Sequence, residues 1–501
     1  MIRFFKFDWR GLLLAAQFTA ALLLVSCKNE EGQNGVIGRV TAEEGSPANA
    51  IVKIYNRPVS FDVNDDASVW SVTGDEDAVG FPLDLAATFD HRLFNPAFVD
   101  TADGDGNFQF ESIVGGNYII VAEKLGQGWS VPRELNTTGS DMDIGELRLP
   151  KVIRFPDNLF RFPTDTTFRS GVHYIVPNNM TVSAGRSLTI EPGAVVLMQG
   201  NKSLNIEGTL ICRGTPQNYI RFMPADVIAR DPDEWQQLTF EDGASPPDLA
   251  YVSFRNGDVA IDTEAGGGLI ENCYFFRFAY GILAEGEPPV LRRCVFERVD
   301  TGCRTTSTSG FVCEHNIFQT SDPFALVLYN MDDCEIFCNW FRDCGGSDTS
   351  GSGTRGVIRL DLVSETEIHG NHFETSWFAL AVGSHVDSTV QIHHNEFTRM
   401  NTVMNIGVTE DQRGPSNPRF NYNCLSTIDR FVINVNCNQH NTQNVDATNN
   451  SWGTISLAQI KDRYIHDRDD DGTCPVVFLT PLLNSSNDVL MQTGTRCGIC
   501  P

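Results

Sequence analysis

The stretch IENCYF at residues 270–275 decides the fold, because it recurs along the back half of the chain. It consists of an apolar residue, two mostly polar ones, Asn or Cys, any residue and then an anchor that is usually Phe. The later copies are LRRCVF (291–296), CEHNIF (313–318), IFCNWF (336–341), IHGNHF (368–373), IHHNEF (392–397), FNYNCL (420–425) and a looser ATNNSW (447–452). Counted from Phe254, successive anchors lie 21, 21, 22, 23, 32, 24, 28 and 27 residues apart. Internal repeats of this kind predict a stacked architecture in which each repeat is one unit.

The length of the repeat limits the shape of one unit. A coil of about 22 residues has room for three short strands and three corners. A single coil cannot bury its apolar face, but stacking completes the core and pairs the backbone edges. Adjacent strands lie about 4.8 Å apart, so roughly ten coils give a rod on the order of 48 Å long. The repeats therefore predict an all-β solenoid.

Stacking in register turns equivalent positions of the repeat into columns. The anchor column should point inward and contains Phe275, Phe296, Phe318, Phe341, Phe373 and Phe397. The column two residues earlier contains Cys273, Cys294, Asn316, Asn339, Asn371, Asn395, Asn423 and Asn450. Asn tolerates left-handed backbone geometry at corners, and its amide can bond to neighbours above and below. We interpret this column as a structural Asn ladder rather than a ligand site.

The column four residues before the anchor should face solvent. It reads Glu271, Arg292, Glu314, Phe337, His369, His393 and Asn421. Arg292 should lie between two carboxylates, a favourable cross-strand arrangement. His369 and His393 should be neighbours, with His372 and His394 near by, and two imidazoles can take a metal. Because no carboxylate or cysteine is adjacent to the two histidines in the column, a plain surface role is the favoured interpretation.

The chain from about residue 170 resembles a known fold family. SLTIEPGAVVLMQGNKSLNIEGTLICRGTPQNYIRF (187–222) alternates strand-sized apolar runs with glycine turns and resembles the opening coils of right-handed parallel β-helix proteins. NNSWGT (449–454) and FLTPLL (478–483) look like the closing segment of that pectate-lyase-like superfamily. The resemblance implies a right-handed parallel β-helix over residues 151–483. A Cys-containing tail at 484–501 follows.

Residues 35–150 are predicted to form a small β-sandwich. GVIGRVTA (35–42), AIVKIYN (50–56) and FQFESIVGGNYIIVAEK (108–124) have the alternation of strands. Together they look like a transthyretin-like, carboxypeptidase-regulatory domain, which in that family is a spacer or a binding module. An Asp-rich insert at about 57–99 departs from the pattern and is expected to be an extended surface loop. Asp103, Asp105 and Asn107 suggest calcium, but a hairpin turn is the favoured interpretation.

The N-terminus has the organisation of an export signal. Three basic residues precede an apolar run from Gly11 to Val25, too short for a confident membrane span. Leu24-Val25-Ser26-Cys27 looks like the lipobox of bacterial lipoproteins, which implies that residues 1–26 are removed and Cys27 is acylated. The acidic tether at 27–34 resembles that of surface-exported lipoproteins in some Gram-negative bacteria. An outer-membrane lipoprotein exposed at the cell surface is therefore expected.

Charge and cysteine content restrict the partners and the compartment. The formal net charge of −27 argues against nucleic acid and anionic membrane surfaces as partners. The chain has 14 cysteines, and export makes disulfides permissible. Cys303 with Cys313, Cys334 or Cys338 with Cys344, and Cys424 with Cys437 are close enough in sequence for bridges, although spacing does not fix the connectivity. Cys474 is expected to pair with Cys497 or Cys500.

Three breaks in the repeat are candidate functional segments. Insertions at 342–356 and 408–418 lengthen single coils, and loops on a rigid scaffold are favoured places for binding. They are expected to leave the rod at different corners, which weakens the case for one shared groove. Asp467, Asp469 and Asp471 fit the start of a calcium loop, although an acidic surface turn is the favoured alternative.

The resemblance leaves catalysis open, since many parallel β-helix proteins are polysaccharide lyases or hydrolases. Lysine is absent after residue 202 except for Lys461, and Arg292 and Arg293 are the best basic candidates. Asp332, Asp333 and Asp361 are isolated candidates for the paired carboxylates of a hydrolase. We therefore expect a lipid-anchored rod that binds glycan or another surface partner without a catalytic site. A polysaccharide lyase or glycoside hydrolase and a purely structural or adhesive rod are the alternatives.

Overall fold

A computed structural model describes the chain over residues 34–57, 79–81, 83, 85–138, 141–228, 231–232, 234–346, 355–407, 416–436, 443–452, 456–467 and 474–482. Its contacts divide the chain into two compact units. Residues 1–58 and 94–150 form the N-terminal unit, and residues 59–93 and 151–501 form the second. None of the described helices has the length and apolar character needed to span a membrane.

The N-terminal unit contains two sheets around one core. Strands Asn107–Ile113, Asn34–Ala42 and Met142–Leu149 form the smaller sheet, and the larger consists of Phe98–Thr101, Ile51–Asn56, Gly116–Lys124, Gly128–Trp129 and Arg133–Thr137. Alternating residues of both sheets, among them Val36, Phe108 and Ile54, are fully or almost fully buried in a shared cluster. The strands thus follow the predicted alternation. The type of domain remains a prediction.

The second unit is built from three ladders of parallel strands. Ladder 1 has 11 strands: Thr166–Phe168, Ser187–Ile190, Thr209–Arg213, Asp248–Ala250, Leu269–Glu271, Val290–Arg292, Val312–Glu314, Glu335–Phe337, Glu367–His369, Gln391–His393 and Arg419–Asn421. Each strand pairs in parallel with the equivalent strand of the next coil. Sequence-consecutive coils are therefore neighbours in the stack.

Ladders 2 and 3 continue each coil. Ladder 2 contains Lys151–Arg154, Val172–Val176, Val195–Met198, Ile220–Pro224, Ile317–Gln319, Trp340–Arg342 and His372–Glu374, and ladder 3 contains Met180–Val182, Ser203–Ile206, Trp235–Phe240, Phe324–Asp332, Ile358–Val363, Phe378–Val382 and Ile465–His466. Strands Val252–Thr263, Tyr274–Glu285, Val295–Ser309, Glu396–Ile406 and Cys424–Val435 turn a corner and serve both ladders. The repeats' prediction of a parallel β-helix is confirmed.

Short elements complete the unit. Two minor strand pairs are Val227–Ile228 with Asp231–Pro232 and Val445–Asp446 with Val477–Phe478. The helices are Leu85–Thr88, the 3₁₀ turn His91–Leu93 and Leu457–Tyr464. Ser456 caps the last helix in a capping box with Gln459, so two of the helix's first backbone donors are satisfied.

The anchor residues stack through the core as predicted. From Phe254 to Phe397, successive ring centroids lie 4.5–5.3 Å apart, and their planes differ by no more than 17°. Every ring of the column is fully buried. Deep burial of a Phe side chain stabilises the fold by about 1.5–3 kcal/mol, so this column is a main source of stability.

The Asn column forms the predicted ladder of buried amides. Asn371 shows the pattern: its Oδ1 accepts the backbone N–H of Asn339 at 2.9 Å, and its Nδ2 donates to the Ile336 carbonyl at 2.8 Å. The same bonds link Asn316, Asn339, Asn395, Asn423 and Asn450. The left-handed residue of the corner is the one before the ladder residue, as at His394 (φ 54°) and Tyr422 (φ 58°), so that part of the prediction was wrong.

Several expected disulfides are wrong. Cys303, Cys313, Cys334 and Cys344 are buried free thiols, and so are Cys212, Cys273 and Cys294. The Cys294 thiol donates to the carbonyls of Ile270 and Arg292 at 3.4 Å, as the amide of a ladder Asn does. These cysteines therefore act as small core residues. Cys437, Cys497 and Cys500 lie outside the described residues, so the bridges expected with them remain predictions.

Part of the N-terminal insert packs on the β-helix. Over its described residues, the segment 79–93 contributes Phe81 and Ala87 to an apolar cluster with outward residues of ladder 2: Tyr219, Tyr274, Phe276, Val295, Ile317 and Trp340. Ser253 Oγ and Arg255 donate to the Ala87 carbonyl at 2.7 and 3.2 Å. This segment therefore covers the outer face of ladder 2 and is not the extended loop expected from the sequence.

Candidate functional site

The outward column of ladder 1 lies in the predicted register. Arg292 is paired along the column with Glu271 on one side and Glu314 on the other. It bonds to Glu314 at 2.6 Å, while Glu271 bonds to Arg213 at 2.5 Å. These are exposed or half-exposed ion pairs, each worth about 0–1 kcal/mol. The column therefore carries ion pairs between neighbouring coils.

The two neighbouring histidines of this column stack on each other, and each lies near a carboxylate. The His369 and His393 rings lie 5.2 Å apart and 5° from parallel. Their Nε2 atoms lie 3.3 Å from Glu335 and 3.7 Å from Glu367, so carboxylates reach this column from the neighbouring one. Burial, together with His369 and His394, lowers the pKa of His393 to about 4. Among the described residues, no group of three or more His, Cys, Asp or Glu side chains is arranged to hold a metal ion.

The other predicted site residues can be placed only in part. Asp103 accepts the backbone N–H groups of Asp105 and Asn107 at 2.9 and 2.8 Å, as expected of a hairpin turn. Asp467 is buried, and its Oδ2 accepts the Val477 N–H at 2.9 Å. Asp469, Asp471 and the lipidation residue Cys27 lie outside the described residues.

Ladder 3 presents the most varied outward surface of the β-helix. The open face of ladder 3 consists of Gln237, Asp262, Tyr280, Leu283, Glu285, Arg304, Thr306, Phe324, Val327, Tyr329 and Arg359, all exposed or partly exposed. One column runs Asp262, Leu283, Arg304, Val327, Arg359, and another runs Glu285, Thr306, Tyr329, Asp361. Aromatic, carboxylate and guanidinium groups thus share one face.

Carboxylates gather at one edge of this face. Gln237 Nε2 bonds to Asp262 Oδ2 at 3.1 Å. Burial raises the pKa of Asp262, and the nearby Glu285 and Glu264 raise it further. At the opposite edge, burial and Asp322 raise the pKa of Asp300. A carboxyl with a raised pKa stays protonated up to a higher pH, so it is suited to donate a proton.

Arg359 and Asp361 stand at the end of the open face. Arg359 Nε donates to Asp361 Oδ2 at 2.7 Å, and its guanidinium lies 5.7 Å from the Phe324 ring centre. Asp361 is 4% exposed, and its Oδ1 has no hydrogen-bond partner among the described residues. Tyr329, its neighbour in register, is 45% exposed. An unsatisfied buried acceptor therefore lies next to an accessible aromatic ring.

Beyond Arg359 the outer surface of ladder 3 is covered. Ala381, the next residue of the column, is fully buried. Gly356 lies so close to it that an added Cβ would come 2.9 Å from the Ala381 Cβ. From the other edge, Ser416 Oγ donates to the Gly383 carbonyl at 2.6 Å. The described ends of both insertions thus close the same coil.

The two insertions leave the β-helix at different corners, as predicted, but both corners border ladder 3. One insertion lies between the ladder 2 strand Trp340–Arg342 and the ladder 3 strand Ile358–Val363. The other lies between the strands Glu396–Ile406 and Arg419–Asn421, at the far edge of ladder 3. Different corners therefore do not argue against one shared groove.

Reasoning from the sequence found only part of this site. Asp361 was recognised as an isolated carboxylate, whereas Arg304, Tyr329 and Arg359 were missed. They lie outside the repeated motif, and variable connections separate them from the anchor Phe. A fixed offset of eight residues from Phe254, Phe275 and Phe296 reaches Asp262, Leu283 and Arg304, but the offset changes after Phe318 and across the long insertion.

Comparisons with known proteins give two remote structural similarities. No protein-family model and no curated protein matches the chain. A carbohydrate-binding candidate from Pseudomonas aeruginosa is 18% identical over 25% of this chain and 93% of its own, with a TM-score of 0.14. A family 28 exopolygalacturonase from Yersinia enterocolitica is 10% identical over 76% of this chain and 85% of its own, with a TM-score of 0.31. Both are too distant to assign a function.

Proposed function

We propose that the chain is an exported, lipid-anchored surface protein that binds a polysaccharide along the open face of ladder 3 without turning it over. The observation that carries the proposal is the sharing of this face by Tyr329, Arg304 and the Arg359–Asp361 pair. Cys27 is the proposed lipid attachment, and the cell surface of a Gram-negative bacterium is the proposed location. A surface protein is the competing partner.

The chemistry of the face suits a sugar chain. Aromatic rings offer flat apolar surface to sugar rings, and a few placed polar groups fix orientation in ligand sites. Arginine presents a fixed fork of donors to hydroxyl oxygens, whereas carboxylates accept from hydroxyl hydrogens. Because coils repeat about every 4.8 Å, the face offers similar contacts at regular steps along a linear polymer.

The direct test incubates the purified protein with a panel of neutral and acidic polysaccharides, with and without calcium. Retention on the polymer, new reducing ends and unsaturated products are measured together. We expect calcium-independent binding to at least one polysaccharide and no turnover. Tyr329→Ala should weaken binding about tenfold, as loss of one aromatic contact of about 1.4 kcal/mol implies. Phe160→Ala removes a comparably exposed ring elsewhere, 58% exposed, and should leave binding unchanged.

A glycoside hydrolase is the second candidate, and the raised pKa of Asp262 favours it. In this role Asp262 is the proton donor and Glu285, its neighbour on the open face, is the second carboxylate. Turnover of any polysaccharide in the panel would replace the binding proposal by this one. Asp262→Asn should then abolish product formation while leaving retention on the polymer intact.

The anchor is tested separately in a Gram-negative host. Wild-type protein should take up labelled fatty acid and sediment with membranes, whereas Cys27→Ser should do neither. A protease added to intact cells should degrade the wild-type protein if it is displayed at the surface. Incorporation of label into the Cys27→Ser variant would contradict the assignment of Cys27.

A further inference from the structure

The open face of ladder 3 is closed at one end by the protein itself. Along the column Asp262, Leu283, Arg304, Val327 and Arg359 every residue is exposed or partly exposed, whereas the next two, Ala381 and Asn405, are 0% and 5% exposed. Gly356 and Ser416 close this coil from its two edges. A polymer lying along the face cannot continue past Arg359 at the same level. A chain that fills the face up to that point must end there.

We infer that the face receives the end of a glycan chain and seats the terminal sugar against Arg359, Asp361 and Tyr329. The inference rests on the proposed function and adds to it the position and the kind of unit recognised. An interior stretch of the same polymer would have to bend away from the protein before Ala381. It would then lose contact with Arg359 and Asp361.

Asp361 indicates what the terminal unit offers. Arg359 Nε donates to Asp361 Oδ2 at 2.7 Å, so the guanidinium charge is balanced by this carboxylate and not by the ligand. The remaining oxygen is a buried acceptor without a partner in the described part of the chain, and such an acceptor is costly unless a donor is supplied. A sugar hydroxyl is a suitable donor, whereas a sugar carboxylate there would be repelled. The terminal unit is therefore a neutral sugar.

The exposed ring of Tyr329 supplies the second contact. It precedes Asp361 in the same outward column, so one rung, about 4.8 Å, separates their backbones. A sugar ring resting on Tyr329 brings a hydroxyl within reach of Asp361 after a small side-chain movement. Leu283 and Val327, which flank Arg304 in the neighbouring column, offer apolar surface for the preceding units.

The test uses linear neutral oligosaccharides of increasing length, taken from the cello-, xylo-, manno- and galacto-series, with oligogalacturonides as the charged comparison. Calorimetry gives the dissociation constant per chain. Once the open face is filled, affinity per chain should stay constant with length, because each chain has one end of the right kind. Asp361→Asn should weaken binding at least about tenfold, as expected for a hydrogen bond to a charged group. Asp429→Asn, the same change at an exposed carboxyl beyond the closed coil, should have no effect.

The outcomes separate this inference from the proposed function. Affinity that keeps rising with chain length, or equal binding by the Asp361→Asn variant, would overturn the terminal seat while leaving polysaccharide binding standing. Tighter binding of oligogalacturonides than of every neutral series would overturn the neutral-sugar assignment. Absence of binding in all series would overturn both. Tyr329→Ala provides a variant at an exposed position that is expected to fold normally, so a folding defect of Asp361→Asn does not remove the test.

Discussion

Asn371 shows how much one residue of the ladder does. The residue links its own coil to the coils on both sides. Its side chain accepts from the Asn339 N–H and donates to the Ile336 carbonyl, and its backbone N–H donates to Asn395 Oδ1. All three amides are at most 1% exposed. Asn supplies both an acceptor and a donor at this point, whereas Cys, which takes the same position in two coils, offers no amide oxygen. This explains why Asn recurs at this position.

Asn371→Ala should therefore destabilise the fold strongly. The change leaves the buried Asn339 N–H and Ile336 carbonyl without partners, at about 1–3 kcal/mol each. We expect the free energy of unfolding to fall by about 3 kcal/mol or more, measured by urea denaturation. Asn117→Ala, at an exposed position outside the ladder, should change it by less than about 1 kcal/mol. Similar losses in the two variants would contradict the role of the ladder.

Cys294 marks the place where the ladder changes its chemistry. Its N–H donates to Asn316 Oδ1 at 2.8 Å, but its own side chain offers no amide oxygen to Cys273. Cys294→Asn should extend the ladder by one coil and add about 1 kcal/mol of stability, the net value of a typical hydrogen bond. The measurement is the denaturation midpoint under reducing conditions. A lower midpoint would show that the site is too small for an amide.

His393 makes stability depend on pH in the acid range. Its folded pKa is about 4, against 6.5 for an ordinary histidine, because burial and the neighbouring histidines disfavour the cation. Between these values the unfolded chain binds more protons than the folded one, so stability falls as pH falls from about 6.5 to 4. His393→Gln should flatten this part of the profile in thermal unfolding. An unchanged slope would contradict the pKa assignment.

At the scale of elements, the segment 79–93 behaves as part of the β-helix. Asp90 is 1% exposed, and Arg92 holds both of its oxygens, at 2.9 and 2.8 Å. Burial opposes ionisation of Asp90, but Arg92 outweighs burial and lowers its pKa well below the usual range. The Arg92 guanidinium also donates to the Ala225 carbonyl at 3.1 Å. A buried ion pair thus fastens the segment to a β-helix coil.

Asp90→Ala should loosen this segment. Removing one partner of a buried pair costs about 3–5 kcal/mol, since the other charge is left uncompensated. We expect faster proteolytic cleavage near residues 79–93 in the folded protein and a lower unfolding temperature. Asp157→Ala, the same change at a side chain that is 77% exposed, is the matched control and should leave both unchanged. Equal cleavage rates in wild type and Asp90→Ala would refute the fastening role.

At the scale of the whole molecule, the repeated positions of the β-helix could be predicted from the sequence, whereas the residues of the open face and the packing of the insert could not. Phe and Asn recur at one position of each coil, so a column could be read from spacing alone. Tyr329 and Arg359 come after corners and insertions of variable length, where spacing no longer gives register. The binding of 79–93 to ladder 2 was missed for a related reason. The apolar residues of this insert follow no repeat spacing, so they give no sign of the distant surface that they cover.

The attachment of residues 79–93 has a consequence for biosynthesis. Phe81 and Ala87 leave the ribosome early, but their partners extend to Ile317 and Trp340, which are made much later. At about 5–20 residues per second, the wait is roughly 12–50 s. The first partner, Tyr219, is made earlier, but the cluster around the segment is complete only when Trp340 has been made. The chain must therefore be made past the middle of the β-helix sequence before the segment 79–93 can complete its contacts.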